Sequence, residues 1–354
     1  MPTLAKVVLQ IDQNGPLQVE QIQIPDPTPH CVLVRVLASG ICNSQLFWMH
    51  QPREHGMLFG HEGYGIVAKT GSAVSGLREG DHVLVTWLPR DSERAAEVPI
   101  LQLSSTQTLK GPNVFTWAEY CLVDELYVRP LPDTVREDVV SIVGCAVITG
   151  GGAALNAGAV KPGDTVAVFG LGGVGLSAVA AAAIGGAGRI VAVDLRDEKL
   201  ALARHFGATD VVNARLDDPV ATIHRLLPGR NGGRSGVDIT LDCVGLTETT
   251  QQALAATRAG KLGVHRGGCC VIVGVPKKSM EIDLFNLMAT EKTLLGTMAG
   301  SCRQEHIDMF IDWYRDGRLD LQAMVTDRFP LEQIVVAVEA LSRGDITGRA
   351  LVTF

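Results

Sequence analysis

Three residues far apart in the chain carry side chains that bind soft metals. They are Cys42 in Gly40-Ile41-Cys42-Asn43-Ser44, His61 in Gly60-His61-Glu62-Gly63, and Cys145 in Gly144-Cys145. Thiolate and imidazole are zinc donors, but separations this large exclude a compact zinc knuckle, whose ligands come in close pairs. Two thiolates and one imidazole would give zinc three protein ligands and leave the fourth position open for water or substrate. Taken singly, each residue has an ordinary explanation. A cysteine at a strand end is a small buried hydrophobe, and a histidine beside a glutamate is a hydrogen-bonded surface pair.

A second motif changes that reading. Gly170-Leu171-Gly172-Gly173-Val174-Gly175 directly follows the apolar strand Thr165 to Phe169 and opens an Ala-rich helix from Val174 to Ile184. Gly170 permits a tight turn, Gly172 lets backbone approach a pyrophosphate, and Gly175 allows helix and strand to pack closely. The helix N-terminus adds N–H groups and the positive end of its dipole. Asp194 ends the next apolar strand, 19 residues after Gly175, where its carboxylate can accept from the adenosine ribose hydroxyls. A 2′-phosphate there would meet like charge, so NAD is expected over NADP, with Arg196 the one nearby cation that could oppose this.

The elements that must position these residues fall into three textures. Residues 1–147 show short alternating runs, such as Val32 to Val36, punctuated by Gly and Pro, the pattern of a twisted or barrel-like set of strands. Residues 148–298 alternate apolar strands and helices: strands at 165–169, 190–193, 237–241 and 270–273, and a charged helix at 197–206. That order predicts a parallel sheet covered on both faces. Residues 299–354 hold helices at 306–316 and 331–342 and close on a strand from Arg349. The segment 91–108 is the least patterned and reads as an extended surface loop.

At 354 residues, with formal net charge −7, the chain has no basic stripe for nucleic acid. Nor does it show a signal-peptide pattern or an apolar run long enough to span a bilayer, so a cytoplasmic location is expected. The eight cysteines include no C-x-x-C pair, and most are expected to be free thiols.

Over essentially its full length the sequence resembles the medium-chain, zinc-containing alcohol dehydrogenases. The matching segments are 40–44, 60–62, Gly80-Asp81-His82-Val83, 144–145, 168–175 and 348–352. The resemblance implies a GroES-like β-barrel-type catalytic domain, residues 1–147 and 299–354, into which a Rossmann domain, 148–298, is inserted, with the active site in the cleft between them. It places the single catalytic zinc on Cys42, His61 and Cys145, the Cys₂His set that family is known for, with Glu62 as a transient fourth ligand. Ser44 corresponds to the hydroxyl that begins proton transfer. Thr149 is implied beside the nicotinamide, Lys199 at the adenosine ribose and Arg349 at the pyrophosphate, along with a small alcohol or aldehyde substrate and a homodimer or homotetramer.

Two departures stand out. Many relatives hold a structural zinc with four close cysteines in a lobe that would fall near 85–115, where this chain has none. Phe47 stands where relatives often carry a proton-passing histidine, leaving the nicotinamide ribose and water, His50 or His55 as onward routes. Phe47, Trp48, Trp87 and Phe115 are candidates to line a pocket for an apolar or aromatic alcohol. The competing readings are a zinc-free NADPH-dependent quinone or enone reductase of the same superfamily, a non-enzymatic NAD-binding sensor, and an enzyme that retains NAD as a bound group.

Overall fold

Period-two runs of Val, Leu and Ile in the first third pair as antiparallel strands around Cys31–Gly40. In the computed structural model, which describes all residues except 54, 92, 104–107 and 230–234, the chain divides into two units. The first comprises Met1–Cys145, Arg303–Gly317 and Leu321–Phe354.

Cys31–Gly40 is the spine of that unit. Glu62–Thr70 pairs along one edge, and the other edge is shared by Tyr120–Asp124 near its start and Arg349–Thr353 near its end. Register shifts at Leu33/Val34 and Val36/Ala38 bend the spine. His82–Thr86 and Val128–Pro130 extend one side of this sheet, and Val325–Pro330 extends the other. A second sheet runs Met57–Leu58, Thr3–Gln10, Gln18–Ile24, Ile100–Gln102, Thr108–Lys110. Side chains from both sheets, Val7 and Ile24 with Val34 and Val123 among them, share one buried core. Phe115 is part of that core, 1% exposed, so it packs the barrel and is withdrawn from the pocket candidates.

The segment 91–108 is more ordered than its composition suggested. Ile100–Gln102 pairs with Thr108–Lys110, and Gln102 with Gln23; residues 92 and 104–107 lie outside the described residues. Its approach is fastened by Asp124, a wholly buried carboxylate that accepts from both terminal nitrogens of Arg94 and from the Glu97 and Leu126 N–H groups.

The second unit, Ala146–Cys302 with Arg318–Asp320, is a six-stranded parallel sheet. Its spatial order is Asp210–Asn213, Arg189–Asp194, Thr165–Phe169, Ile239–Asp242, Cys269–Ile272, Thr293–Gly296. Numbered along the chain this is 3-2-1-4-5-6, the doubly wound dinucleotide-binding order with its reversal beside the first strand. The strand expected at 237–241 starts two residues late, because the Val237 backbone pairs with Ala256 and Arg258 and not with the sheet. The first and last strands in that spatial order are short and carried no sequence signal. Among the described residues no single helix is long and apolar enough to cross a membrane.

Candidate active site

Each candidate metal ligand sits at the end of an element. The spine strand runs into Ile41, whose N–H donates to the Ala350 carbonyl at 2.9 Å, and Cys42 then caps the short helix Asn43–Met49. His61 precedes the strand Glu62–Thr70 and follows Gly60, which adopts φ +88° and whose Cβ would strike the Trp117 nitrogen at 2.4 Å. Glycine is required there on both counts. Cys145 ends the turn Asp138–Gly144, held against His82–Thr86 by a 2.6 Å bond from Thr86 Oγ1 to the Gly144 carbonyl.

These ends converge. The two sulfurs are 3.9 Å apart, His61 Nε2 is 3.2 Å from Cys145 Sγ, and all three ligand atoms lie within 4.8 Å of one another. A tetrahedral zinc has S···S edges of about 3.8 Å and S···N edges of about 3.5 Å, so the donors fit the ion. Both cysteines are buried. The hydrogen bond from Cys145 holds the Cys42 thiol well below its ordinary range, with Arg349 and His61 adding to this, while the same bond and burial push Cys145 well above it. A bound dication would favour the thiolate form of both.

Glu62 points away from the sulfurs into an ion pair. Its carboxylate, wholly buried, accepts from Arg349 Nε at 3.0 Å and from Arg349 Nη2. Burial raises the Glu62 carboxyl and Arg349 opposes that rise. Gly40 makes room for the pair, since a Cβ there would lie 2.0 Å from Glu62 Oε1. Ser44 Oγ donates to Cys42 Sγ at 3.2 Å, so it sits at the metal ligands. His50 is exposed and bonded to Asn14 at 2.6 Å, and Trp48 is exposed against Phe47.

One neighbour escaped the sequence reading, and a second, Trp87, was expected only as a pocket wall. Gln45, buried one turn after Cys42, bridges the Gly60 N–H and His61 Nδ1. Trp87 stands edge-on to His61 with ring centroids 6.5 Å apart. Register explains the second: Glu62 pairs with Thr86, so the residues just beyond them face each other.

In the second unit, Gly170 has φ +85° and a Cβ on Gly175 would fall 1.8 Å from the Gly170 carbonyl, so both glycines serve the protein's own turn. Around Gly172 a Cβ would meet nothing within 4 Å. No protein atom requires glycine there, and the open space leaves room for a ligand to approach the backbone. Asp194 Oδ2 accepts from the Leu171 N–H at 2.8 Å and Oδ1 from Leu195, which ties the carboxylate to the glycine turn with lone pairs to spare. Lys199 is half-buried and within the field of Asp194; burial lowers its pKa and Asp194 opposes that. The Thr149 hydroxyl is buried without a partner, a group a bound nicotinamide amide could satisfy. The residues present fit NAD.

Residues 28–133 match the alcohol dehydrogenase GroES-like domain, and residues 173–316 match the zinc-binding dehydrogenase family. A curated rabbit (Oryctolagus cuniculus) protein, alcohol dehydrogenase class-2 isozyme 2, is 31% identical over 96% of this chain and 95% of its own. This chain belongs to the medium-chain zinc alcohol dehydrogenase family. Its members share the fold closely. A zinc-binding-domain alcohol dehydrogenase from Burkholderia ambifaria superposes over 100% of both chains with TM-score 0.88 at 28% identity. Benzyl alcohol dehydrogenase from Acinetobacter calcoaceticus covers 99% of each with TM-score 0.85 at 27%. Membership makes the chain a zinc-dependent oxidoreductase acting on CH–OH donors, in a family whose usual cofactor is NAD.

Proposed function

We propose that Cys42, His61 and Cys145 hold one catalytic zinc and that the chain passes hydride between a small alcohol and NAD carried on the Gly170–Gly175 turn. The observation that carries this is the donor spacing of 3.2 and 3.9 Å, which matches the edges of a zinc tetrahedron. When bound, zinc supplies the Lewis acidity that eases loss of the alcohol proton, and NAD accepts the hydride.

The chain's own groups do the rest. Ser44 Oγ, beside Cys42, accepts the hydrogen bond of the alcohol and relays its proton. Phe47 cannot continue that path and His50 is engaged with Asn14, so the onward routes are the nicotinamide ribose and water or the exposed His55. Thr149, Asp194 and Lys199 orient the cofactor, and Arg349 holds Glu62 in place besides offering donors to the pyrophosphate. Glu62 acts as a ligand only by leaving Arg349. Trp87 beside His61 favours an apolar or aromatic alcohol, of which benzyl alcohol is a fair first trial. A cytoplasmic homodimer or homotetramer completes the reading. The exposed apolar side chains Leu284, Phe285 and Met288 on the helix Leu284–Ala289 suit a subunit contact.

The test is zinc content and NADH formation on one sample across an alcohol panel. Wild type should carry one zinc per chain and form NADH. Cys42→Ala should lose the zinc and nearly all turnover while still binding NAD. Normal turnover in a metal-free Cys42→Ala protein would end the proposal.

A further inference from the structure

Gln45 is 4% exposed and lies in the first turn of Asn43–Met49, between the ligands Cys42 and His61. Its amide is engaged at both ends. The Gly60 N–H reaches Oε1 at 2.8 Å, and Nε2 lies 2.6 Å from His61 Nδ1. A backbone N–H can only donate, so the Gln45 atom facing Gly60 must be the oxygen. The amide NH₂ is therefore turned toward His61.

The other ring nitrogen, Nε2, faces Cys145 Sγ and is the one placed to bind metal. A neutral imidazole that gives Nε2 to a metal carries its proton on Nδ1 and needs an acceptor there. Nδ1 has no other hydrogen-bond partner among the described residues. The Nδ1–H of part-buried His61 then faces an NH₂, and finds an acceptor only if the Gln45 oxygen turns toward it and is shared with the Gly60 N–H.

Resting on the zinc reading above, we propose that Gln45 is a positioning residue that keeps the zinc exchangeable, because its single carbonyl oxygen cannot fully serve both Gly60 and a metal-bound His61. A glutamate of the same length would give one carboxylate oxygen to each donor and grip His61 in its ligating orientation. Partners of this kind change metal affinity by about 10–100-fold.

The experiment follows zinc release to an excess of chelator from the zinc-loaded full chain, with no substrate present. Wild type, Gln45→Glu and Gln45→Met are compared. Release from Gln45→Glu should be about 10-fold or more slower than from wild type, and release from Gln45→Met as fast as wild type or faster. Equal or faster release from Gln45→Glu overturns the proposal. A readout on the wild type guards against a variant that folds poorly. The Gly60 amide resonance should move upfield and exchange faster with solvent when zinc is loaded, because its acceptor is then shared. A Gly60 amide indifferent to zinc also overturns the proposal. A chain that takes up no zinc refutes the metal reading itself, and the inference with it, whereas zinc uptake with Gln45-independent release refutes the inference alone.

Discussion

The segment after Thr86 is fastened by a carboxylate, and replacing Asp124 with Asn tests that. Asp124 is 0% exposed and accepts from Arg94 Nη1 at 3.1 Å, from Arg94 Nη2, from the Glu97 N–H at 2.8 Å and from the Leu126 N–H at 2.9 Å. Asparagine keeps one acceptor oxygen and turns an NH₂ toward the remaining donors, leaving Arg94 without its anion. Breaking a fully buried pair costs about 3–5 kcal/mol. The Arg94 side chain is 31% exposed, so water recovers part of its charge. The expected loss is therefore nearer the lower bound, about 3 kcal/mol. In a unit of this size each kcal/mol lowers Tm by about 2–4 °C, giving a drop of roughly 6–12 °C. Circular dichroism melts would measure it, with zinc quantified before heating and expected to stay at one per chain. A cycle with Arg94→Met isolates the pair, and the double variant should lose clearly less than the two single losses combined. A drop under about 2 °C with additive singles would show that the segment is held by its strands alone.

Three further outcomes follow from the same structure. Turnover efficiency should favour NAD over NADP, and Asp194→Ala should shrink that ratio by about 10-fold or more, since one charge-assisted bond to the ribose is removed; a wild-type preference for NADP that Asp194→Ala retains would refute the assignment. Asp210 is held below its ordinary value of 3.8 by the hydrogen bond from Arg189, so its contribution is complete above that value and drains as pH falls below it. The pair is partly exposed and the effect is screened, so Asp210→Asn should lower neutral stability by under about 1 kcal/mol and converge on wild type at the acid end of a stability-against-pH curve. Arg349→Met should destabilise the cofactor-free protein by about 3–5 kcal/mol in denaturant titrations by stranding Glu62; loss of NAD affinity alone would show that Arg349 serves only the phosphate.

The two halves of the site were legible to different degrees for a physical reason. The dinucleotide turn is contiguous: strand Thr165–Phe169, Gly170, Gly172, Gly175 and the helix lie in one stretch, and Gly175 packs on the Gly170 carbonyl five residues before it. The metal site is assembled by topology. Cys42 and Cys145 are 103 residues apart, and only the pairing of Cys31–Gly40 with Glu62–Thr70, and of that strand with His82–Thr86, brings their ends together. Resemblance named the ligands, but not what stands behind them. Gln45 carried no signal and Trp87 only that of a pocket wall, because cross-strand register and a side-chain bridge leave no local trace. The short strands at the end of 91–108 were likewise not legible, since the segment's order rests on Asp124 and Gln23.

The buried charges around the metal ligands compensate in pairs. Two thiolates balance a dication, and Glu62 balances Arg349 287 positions along the chain. Gln45 against His61 and Ser44 against Cys42 add no charge. With zinc bound, the charges of the site would sum to neutrality, and no further anion on the ligands would weaken the metal's pull on an incoming oxygen. A carboxylate in place of Gln45 would grip the metal harder and, by the same electrostatics, weaken its pull on substrate. Metal retention and Lewis acidity are thus set against each other at one side chain, and the neutral amide leans toward reactivity.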